Sequence, residues 1–226
     1  MSSRNAAVSN RYQKKSHLQH IKDRPDSYIG SCESRRESMW VIVAGKMEYR
    51  EITYVPALFK IFDEILSNAA DNKHRDPNMK SIKVNMTEHS ITVENDGNGI
   101  PVEKHAEHHI YVPQMVFGEL LTGDNYDDSE ERVGGGRNGY GAKLTNIFSK
   151  SFCIETVDSN ANKKYSQQWS DNMTKVTPPH ITSGNKRKDY TRVTFAPDFE
   201  RFGQTKLTED MLSLFRKRVY DIAGTT

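Results

Sequence analysis

The sequence predicts an α+β fold in which amphipathic helices and the strands of a sheet share one core, preceded by an N-terminal extension. Three observations predict it. The stretch 54–72 places Leu58, Ile61, Phe62, Ile65 and Ala69 at helical spacing, with Pro56 suited to a first turn. Soon after it, Ile82, Val84 and Met86, then Ile91 and Val93, alternate with polar residues around the short link Thr87, Glu88, His89, which is the pattern of a hairpin. Further on, the strings FCIETV, KKYSQQWS and TRVTFAPD read as more strands of a sheet.

The remaining segments follow in order. Residues 1–27 are polar and basic and hold too little apolar surface to form a core alone. They read as an arm that docks on something, ahead of a domain spanning 28–226. Segments 105–111 and 124–136, rich in His, Asp, Glu and Gly, read as loops and as the expected mobile parts. The string AKLTNIFS reads as a short helix, and SGNKRKD as a turn carrying a solvated charge run. Thr208 is suited to cap a last helix, with Glu209 and Asp210 in its first turn. Its apolar stripe would be Met211, Leu212, Phe215, Val219 and Ile222, with Gly224 as its stop.

Composition narrows the classes. The 226 residues are 27% charged and 35% hydrophobic, which is polar, yet 9% aromatic residues are too many for a disordered chain. No apolar run approaches the roughly 18 residues that cross a bilayer, and the start MSSRNAAVSN lacks the basic-then-apolar order of a secretion signal, so a soluble intracellular protein is expected. Cys32 and Cys153 stand far apart, which excludes a disulfide framework or a thiolate metal site. The net charge of +2 gives no electrostatic case for nucleic-acid binding by this segment itself.

Three constellations could carry chemistry. On the first helix, Glu64, Asn68 and Asp71 or Asn72 stand at i, i+4 and i+7 or i+8, on one face opposite the apolar stripe. Asn and Asp are poor helix formers, so such a face serves something other than solubility. A Glu one turn from an Asn offers a base for a water and an oxygen ligand for Mg²⁺. Next, Asn95, Asp96, Gly97, Asn98, Gly99 follow the hairpin; the glycines permit a tight turn, and an acceptor held there, Asp96, can take a hydrogen bond from an exocyclic amine such as that of adenine. An ordinary turn has the same look. Last, RVGGGRNGYGAKLTNIF packs five glycines into the eight positions 134–141 ahead of a helix, a cradle for an anion to which Arg137 and Lys143 add charge.

This string is not a P-loop, since Ala142 intervenes before Lys143 and Leu144 takes the place of the metal-binding hydroxyl. Gly134, Gly136 and Gly139 imitate a dinucleotide fingerprint, but the preceding DNYDDSEER is no buried strand. His105, His108 and His109 are possible metal ligands without a second cluster to complete a site, and Met115 and Phe117 suit a core.

Taken together, EILSNAADN, NDGNGIP, GGGRNGYGAKL and DYTRVTF resemble the ATP-binding boxes of the GHKL superfamily: gyrase, the ninety-kilodalton heat-shock chaperones, histidine kinases and MutL proteins. The strings YQKKSHLQHIKDRPDSYIGS, LFKIFDEILSNAADNK, IYVPQMVFGELLT, NYDD and RVYDIAG resemble the N-terminal ATPase region of the eukaryotic type II DNA topoisomerase family, from about residue 12 to 224. The resemblance implies a two-layer sandwich, a mixed and mostly antiparallel sheet covered on one face by helices (the Bergerat fold). It also implies ATP and Mg²⁺. Glu64 would align the attacking water, Asn68 would ligate Mg²⁺, and Asp71 and Asn72 would line the pocket. Asp96 would accept from adenine, supported by Thr191, with Gly99 and Ile100 beside it. Arg137, Asn138, Gly139, Tyr140, Gly141 and Lys143 would form the lid on the triphosphate, Asn125 would lie in the ribose-side loop, and Tyr12 would reach across a dimer from the arm.

The implied partners are duplex DNA, through the full-length enzyme, and a second copy of it; no membrane is implied, and the location is the nucleus. The isolated chain would be mostly monomeric and slow in hydrolysis. The chain departs from the family pattern at Gly123 and Asp124, where two serines are usual, and at Val133 and Gly134 in the lid. Gln204, Thr205, Lys206 repeats a family string but stands before the last helix, out of its usual place. A chaperone-type or MutL-type machine, or a nucleotide sensor without turnover, stays open as an alternative.

Overall fold

A computed structural model of the protein describes residues 16–120, 140–184 and 188–226. In chain order they form α1 (His17–Asp23), β1 (Arg35–Val43), β2 (Lys46–Tyr54), α2 (Pro56–Arg75), β3 (Ile82–Met86), β4 (Ile91–Asn95), α3 (Val112–Gly118), α4 (Gly141–Ile147), β5 (Ser149–Asp158), β6 (Lys163–Ser170), β7 (Lys175–Val176), β8 (His180–Ser183), β9 (Tyr190–Pro197) and α5 (Glu209–Thr225). The main sheet has the order β3-β4-β9-β5-β6-β7, with β8 also on β6, and every described pairing is antiparallel. The expected two-layer α+β fold is what the chain forms.

Strand parity decides which face of the sheet is covered. Ile91 and Val93 of β4, Val193 and Phe195 of β9, and Phe152 and Ile154 of β5 are buried against Leu58, Ile61, Phe62, Ile65 and Ala69 of α2 and against Leu144 and Ile147 of α4. The alternate residues of these strands, such as Thr92, Glu94, Arg192 and Glu155, form hydrogen bonds and ion pairs on the opposite face. Outside α2 lies α5, where Phe215 stacks on Phe62 with ring centroids 4.2 Å apart. Thr208 caps α5 by accepting from the backbone N–H of Met211, as its position predicts. The helix continues past Gly224, the expected stop, to Thr225.

The hairpin β1–β2, a separate two-stranded sheet, had no counterpart in the sequence reading. Its two-residue loop, Ala44 and Gly45, takes positive φ at both positions, as a primed turn requires. Val41 and Ile52 pack on Leu214 of α5, while Trp40 and Tyr49 stay exposed, so most of the hairpin lacks a clean apolar alternation. The described part of the arm packs on the domain. Ile21 of α1 is fully buried and the Arg201 guanidinium donates to the carbonyl of Lys22, so packing continues across the boundary drawn at residue 27. Among the described residues no helix is long and apolar enough to cross a membrane.

Phe62 joins the sheet-facing layer to α5. Its replacement by Ala is expected to cost about 3–5 kcal/mol of unfolding free energy, read as a lower urea midpoint; a loss below about 1 kcal/mol would show that α5 is not held through this ring.

Candidate active site

A cavity of about 1070 Å³ opens between the polar side of α2 and the ends of β4 and β9. The helix geometry that buries Ile61 and Ile65 turns Glu64, Asn68, Asp71 and Asn72 toward it, and all four line it. The Glu64 carboxylate is held on two sides. Lys60, one turn earlier, pairs with Oε1. Gly141, the first residue of α4, lies against Oε2, which a Cβ on Gly141 would approach to 2.0 Å. The glycine is required for space. Lys143, buried to 1% exposure, and Tyr140 line the same wall. The Asn68 side chain is exposed, within reach of a ligand, whereas burial pushes the Asp71 carboxyl up from its ordinary value against the opposing pull of His74 and Arg75.

The second wall comes from the segment after β4, and here one expectation is corrected. Asp96 does not line the cavity. It is exposed, and its Oδ1 accepts from the backbone N–H groups of Lys80 and Ser81 at 2.9 and 2.8 Å. Its neighbour Asn95 lines the cavity instead, because it shares the inward parity of Ile91 and Val93. Asn72 Nδ2 donates to Asn95 Oδ1 at 2.9 Å and to the carbonyl of Asn98 at 3.3 Å, clipping the helix to the turn. Asp76, buried at the end of α2, accepts from the backbone N–H groups of Asn78 and Asn98 and fastens the same turn.

Gly99, Ile100 and Thr191 also line the cavity. Neither Gly97 nor Gly99 adopts positive φ. They are needed for close approach: a Cβ would come within 2.6 Å of Asn72 Nδ2 at Gly97 and within 1.7 Å of the Val157 carbonyl oxygen at Gly99. The Ile100 N–H donates to Thr156 Oγ1 and the Val102 N–H to Asp158, so the segment is fastened to the end of β5.

The structure therefore brings Glu64, Asn68, Asp71, Asn72, Gly99, Ile100, Tyr140, Gly141, Lys143 and Thr191 together and leaves Asp96 out. Tyr12, Asn125, Arg137, Asn138 and Gly139 lie outside the described residues. His17, Lys60 and Asn95 line the site without having been singled out in the sequence. Period-two counting along β4 would have found Asn95; His17, from α1, carries no such signal. His105 lines the cavity and stacks on His108, but no group of three His, Cys, Asp or Glu able to hold a metal occurs among the described residues. Lys206, of the displaced string, pairs with Glu88.

A helix carrying a carboxylate and amide ridge over a cavity, walled by a glycine-bearing turn and a short glycine-led helix, defines a class. Residues 53–201 match the family described as histidine kinase-, DNA gyrase B- and HSP90-like ATPase, and the chain belongs to that family. Within it, all of this chain aligns at 54% identity with DNA topoisomerase 2 of Saccharomyces cerevisiae, of which it spans 16%. The crystal structure of the ATPase region of that organism's topoisomerase II superposes with a TM-score of 0.93 at 55% identity, over 95% of this chain and 58% of the other. The 43K ATPase domain of Thermus thermophilus gyrase B, solved with an aminocoumarin, gives 0.66 at 26% identity, over 91% of this chain and 45% of that one. The chain is thus homologous to the ATPase region of eukaryotic topoisomerase II.

Asp96 has a testable structural role. Burial acts upward on its carboxyl but is outweighed by the N–H donors of Lys80 and Ser81, which leave it below its ordinary value. A carboxyl depressed on folding contributes stability above its unfolded value, and that contribution is lost as pH falls through the folded one. Asp96→Asn is expected to lower the melting temperature at about pH 7, by a difference that shrinks as pH falls below the ordinary carboxylate range and the wild-type carboxyl takes up its proton. Equal melting temperatures at neutral pH would remove this role.

Proposed function

We propose that the chain binds ATP with Mg²⁺ in this cavity and hydrolyses it. The observation that carries the reading is the convergence of Glu64, Asn68, Asn72, Asn95, Gly141, Lys143 and Thr191 on one cavity large enough for a nucleoside triphosphate. The donor set suits Mg²⁺: an exposed amide oxygen at Asn68 near the Glu64 carboxylate is oxygen chemistry of the kind a hard cation takes, with phosphates and water as its other ligands. When bound, the ion neutralises phosphate charge.

The protein's own part is positioning. Glu64, held by Lys60 and Gly141, accepts the proton of a water whose oxygen bonds to the γ-phosphorus as the bond to the bridging oxygen breaks. Asn95 and Thr191 face the base, and Lys143 adds positive charge on the phosphate side. By the family resemblance alone, Arg137, Asn138 and Gly139 are assigned to the triphosphate, Asn125 to the ribose and Tyr12 to a partner's nucleotide. In the whole protein, a type II DNA topoisomerase by its similarity to the yeast relative, nucleotide binding closes a gate between two copies for DNA strand passage in the nucleus. This chain spans about a sixth of that relative, and alone it is expected to turn over slowly and to be mostly monomeric.

Two variants test the assignment. Glu64→Gln is expected to lower kcat at least about a hundredfold, the low end of what a general base contributes, while a non-hydrolysable ATP analogue still binds. Wild-type turnover in that variant would overturn the role of Glu64. Gly141→Ala forces the carboxylate aside and is expected to lower kcat by about a hundredfold, as a misplacement near 1 Å can; steady-state hydrolysis beside titration calorimetry separates this from lost binding.

A further inference from the structure

A row of three polar residues crosses the inner face of the sheet at the cavity. The register pairs Asn95 of β4 with Thr191 of β9, and Thr191 with Thr156 of β5. Thr156 is fully buried, does not line the cavity, and stands out in no sequence motif. Its Oγ1 has three partners, each at 3.0 Å: the Ile100 N–H, the Tyr190 carbonyl oxygen and Thr191 Oγ1.

Counting protons fixes the direction of this network. Two oxygens at 3.0 Å need a proton between them. A carbonyl has none to give, so the Thr156 hydroxyl donates to Tyr190. The contact between the two threonines must then use the proton of Thr191. Thr156 is left saturated, donating once and accepting from Ile100 and Thr191. Thr191 spends its proton inward and keeps lone pairs toward the cavity. The reverse arrangement would leave Thr156 and the Tyr190 oxygen in contact with no proton between them, a buried acceptor pair of the kind that costs free energy.

Asn95 is fixed in the opposite sense. Its Oδ1 accepts from the Gly97 N–H, which cannot reverse, and from Asn72 Nδ2, whose own orientation is set by donation to the Asn98 carbonyl. Its amide N–H groups remain for the cavity.

We propose that Thr156 is a positioning residue that turns Thr191 into an acceptor, so that the pair Asn95 and Thr191 presents a donor beside an acceptor and selects an amine-bearing base edge over a carbonyl-bearing one. This rests on the nucleotide reading above. Adenine offers a ring-nitrogen acceptor beside an amine donor and fits the pair; hypoxanthine offers an N–H beside a carbonyl, so its donor meets the Asn95 donor and its acceptor meets the Thr191 acceptor.

The test compares ATP with inosine triphosphate, which differ only at that edge, in competition against a fluorescent ATP analogue with Mg²⁺ on the full chain. The wild type is expected to prefer ATP by at least about tenfold, one well-placed hydrogen bond against one unpaired group. Thr156→Val, which keeps the shape and removes the hydroxyl, is expected to reduce that preference about tenfold, mainly through weaker ATP binding, and Thr156→Ser to keep it within about twofold. Thr156→Ala is expected to behave as the Val variant does and serves where the Val variant does not fold. An unchanged preference in the folded variants without the hydroxyl overturns the proposal and leaves the nucleotide reading intact. A wild type that binds both triphosphates equally overturns it without any variant, and a wild type that binds neither overturns both readings.

Discussion

The insertion of β9 between β4 and β5 is the constraint on which the site depends. Strands distant in the chain become neighbours, and the register then leaves no freedom in what meets what: Asn95 stands opposite Thr191, and Thr191 opposite Thr156. Because side chains alternate with a period of two, the same register that buries Val93, Val193 and Ile154 sends these three polar residues inward. A slip by one residue would turn the whole row outward. The core and this wall of the cavity are therefore one structure, and the apolar packing of α2 on the sheet fixes the position of both.

Against this wall, the glycines of the site act through the space they leave empty. Gly99 lets the turn lie on the Val157 carbonyl, Gly97 lets Asn72 reach across to Asn95, and Gly141 lets α4 start against the Glu64 carboxylate. None of the three needs a conformation forbidden to other residues. The consequence is rigidity: backbone pressed against a functional side chain limits its rotamers, which keeps its geometry ready before a ligand arrives.

Much of this was legible in the sequence, in proportion to how local the cause was. Helix α2 and its polar ridge follow from spacing within one element, and so do the hairpin β3–β4 and the Thr208 cap. Asp96 was misplaced because an acid beside two glycines looks like a ligand residue, while the parity of Ile91 and Val93 already assigned the inward position to Asn95. The acid instead fastens the start of β3, a role set by backbone N–H groups fifteen or sixteen residues away in sequence that no local pattern displays. Thr156 and Asp76 were invisible for the same reason, since each matters through partners fixed only by the fold. The hairpin β1–β2 escaped notice because its outer face carries Trp40 and Tyr49 and its inner face is only partly buried.

Charge is divided across the cavity in a way the chemistry explains. Glu64, Lys60 and Lys143 lie on the side given by α2 and α4, whereas the wall from β4 and β9 is neutral, made of Asn95 and Thr191 and backed by the amide of Asn72 and the buried hydroxyl of Thr156. Burying a lone charge costs far more than burying an amide whose bonds are made, so on the nucleotide reading proposed above a wall facing a neutral base is cheapest when built from amides and hydroxyls. Such groups can point either way, which would blur what they read. Backbone groups remove the ambiguity here, because the Gly97 N–H and the Tyr190 and Asn98 carbonyls cannot change character and each passes its polarity to one side chain. On the proposal above, selectivity in this wall is a property of the main chain, delivered to the cavity through side chains that have no remaining choice.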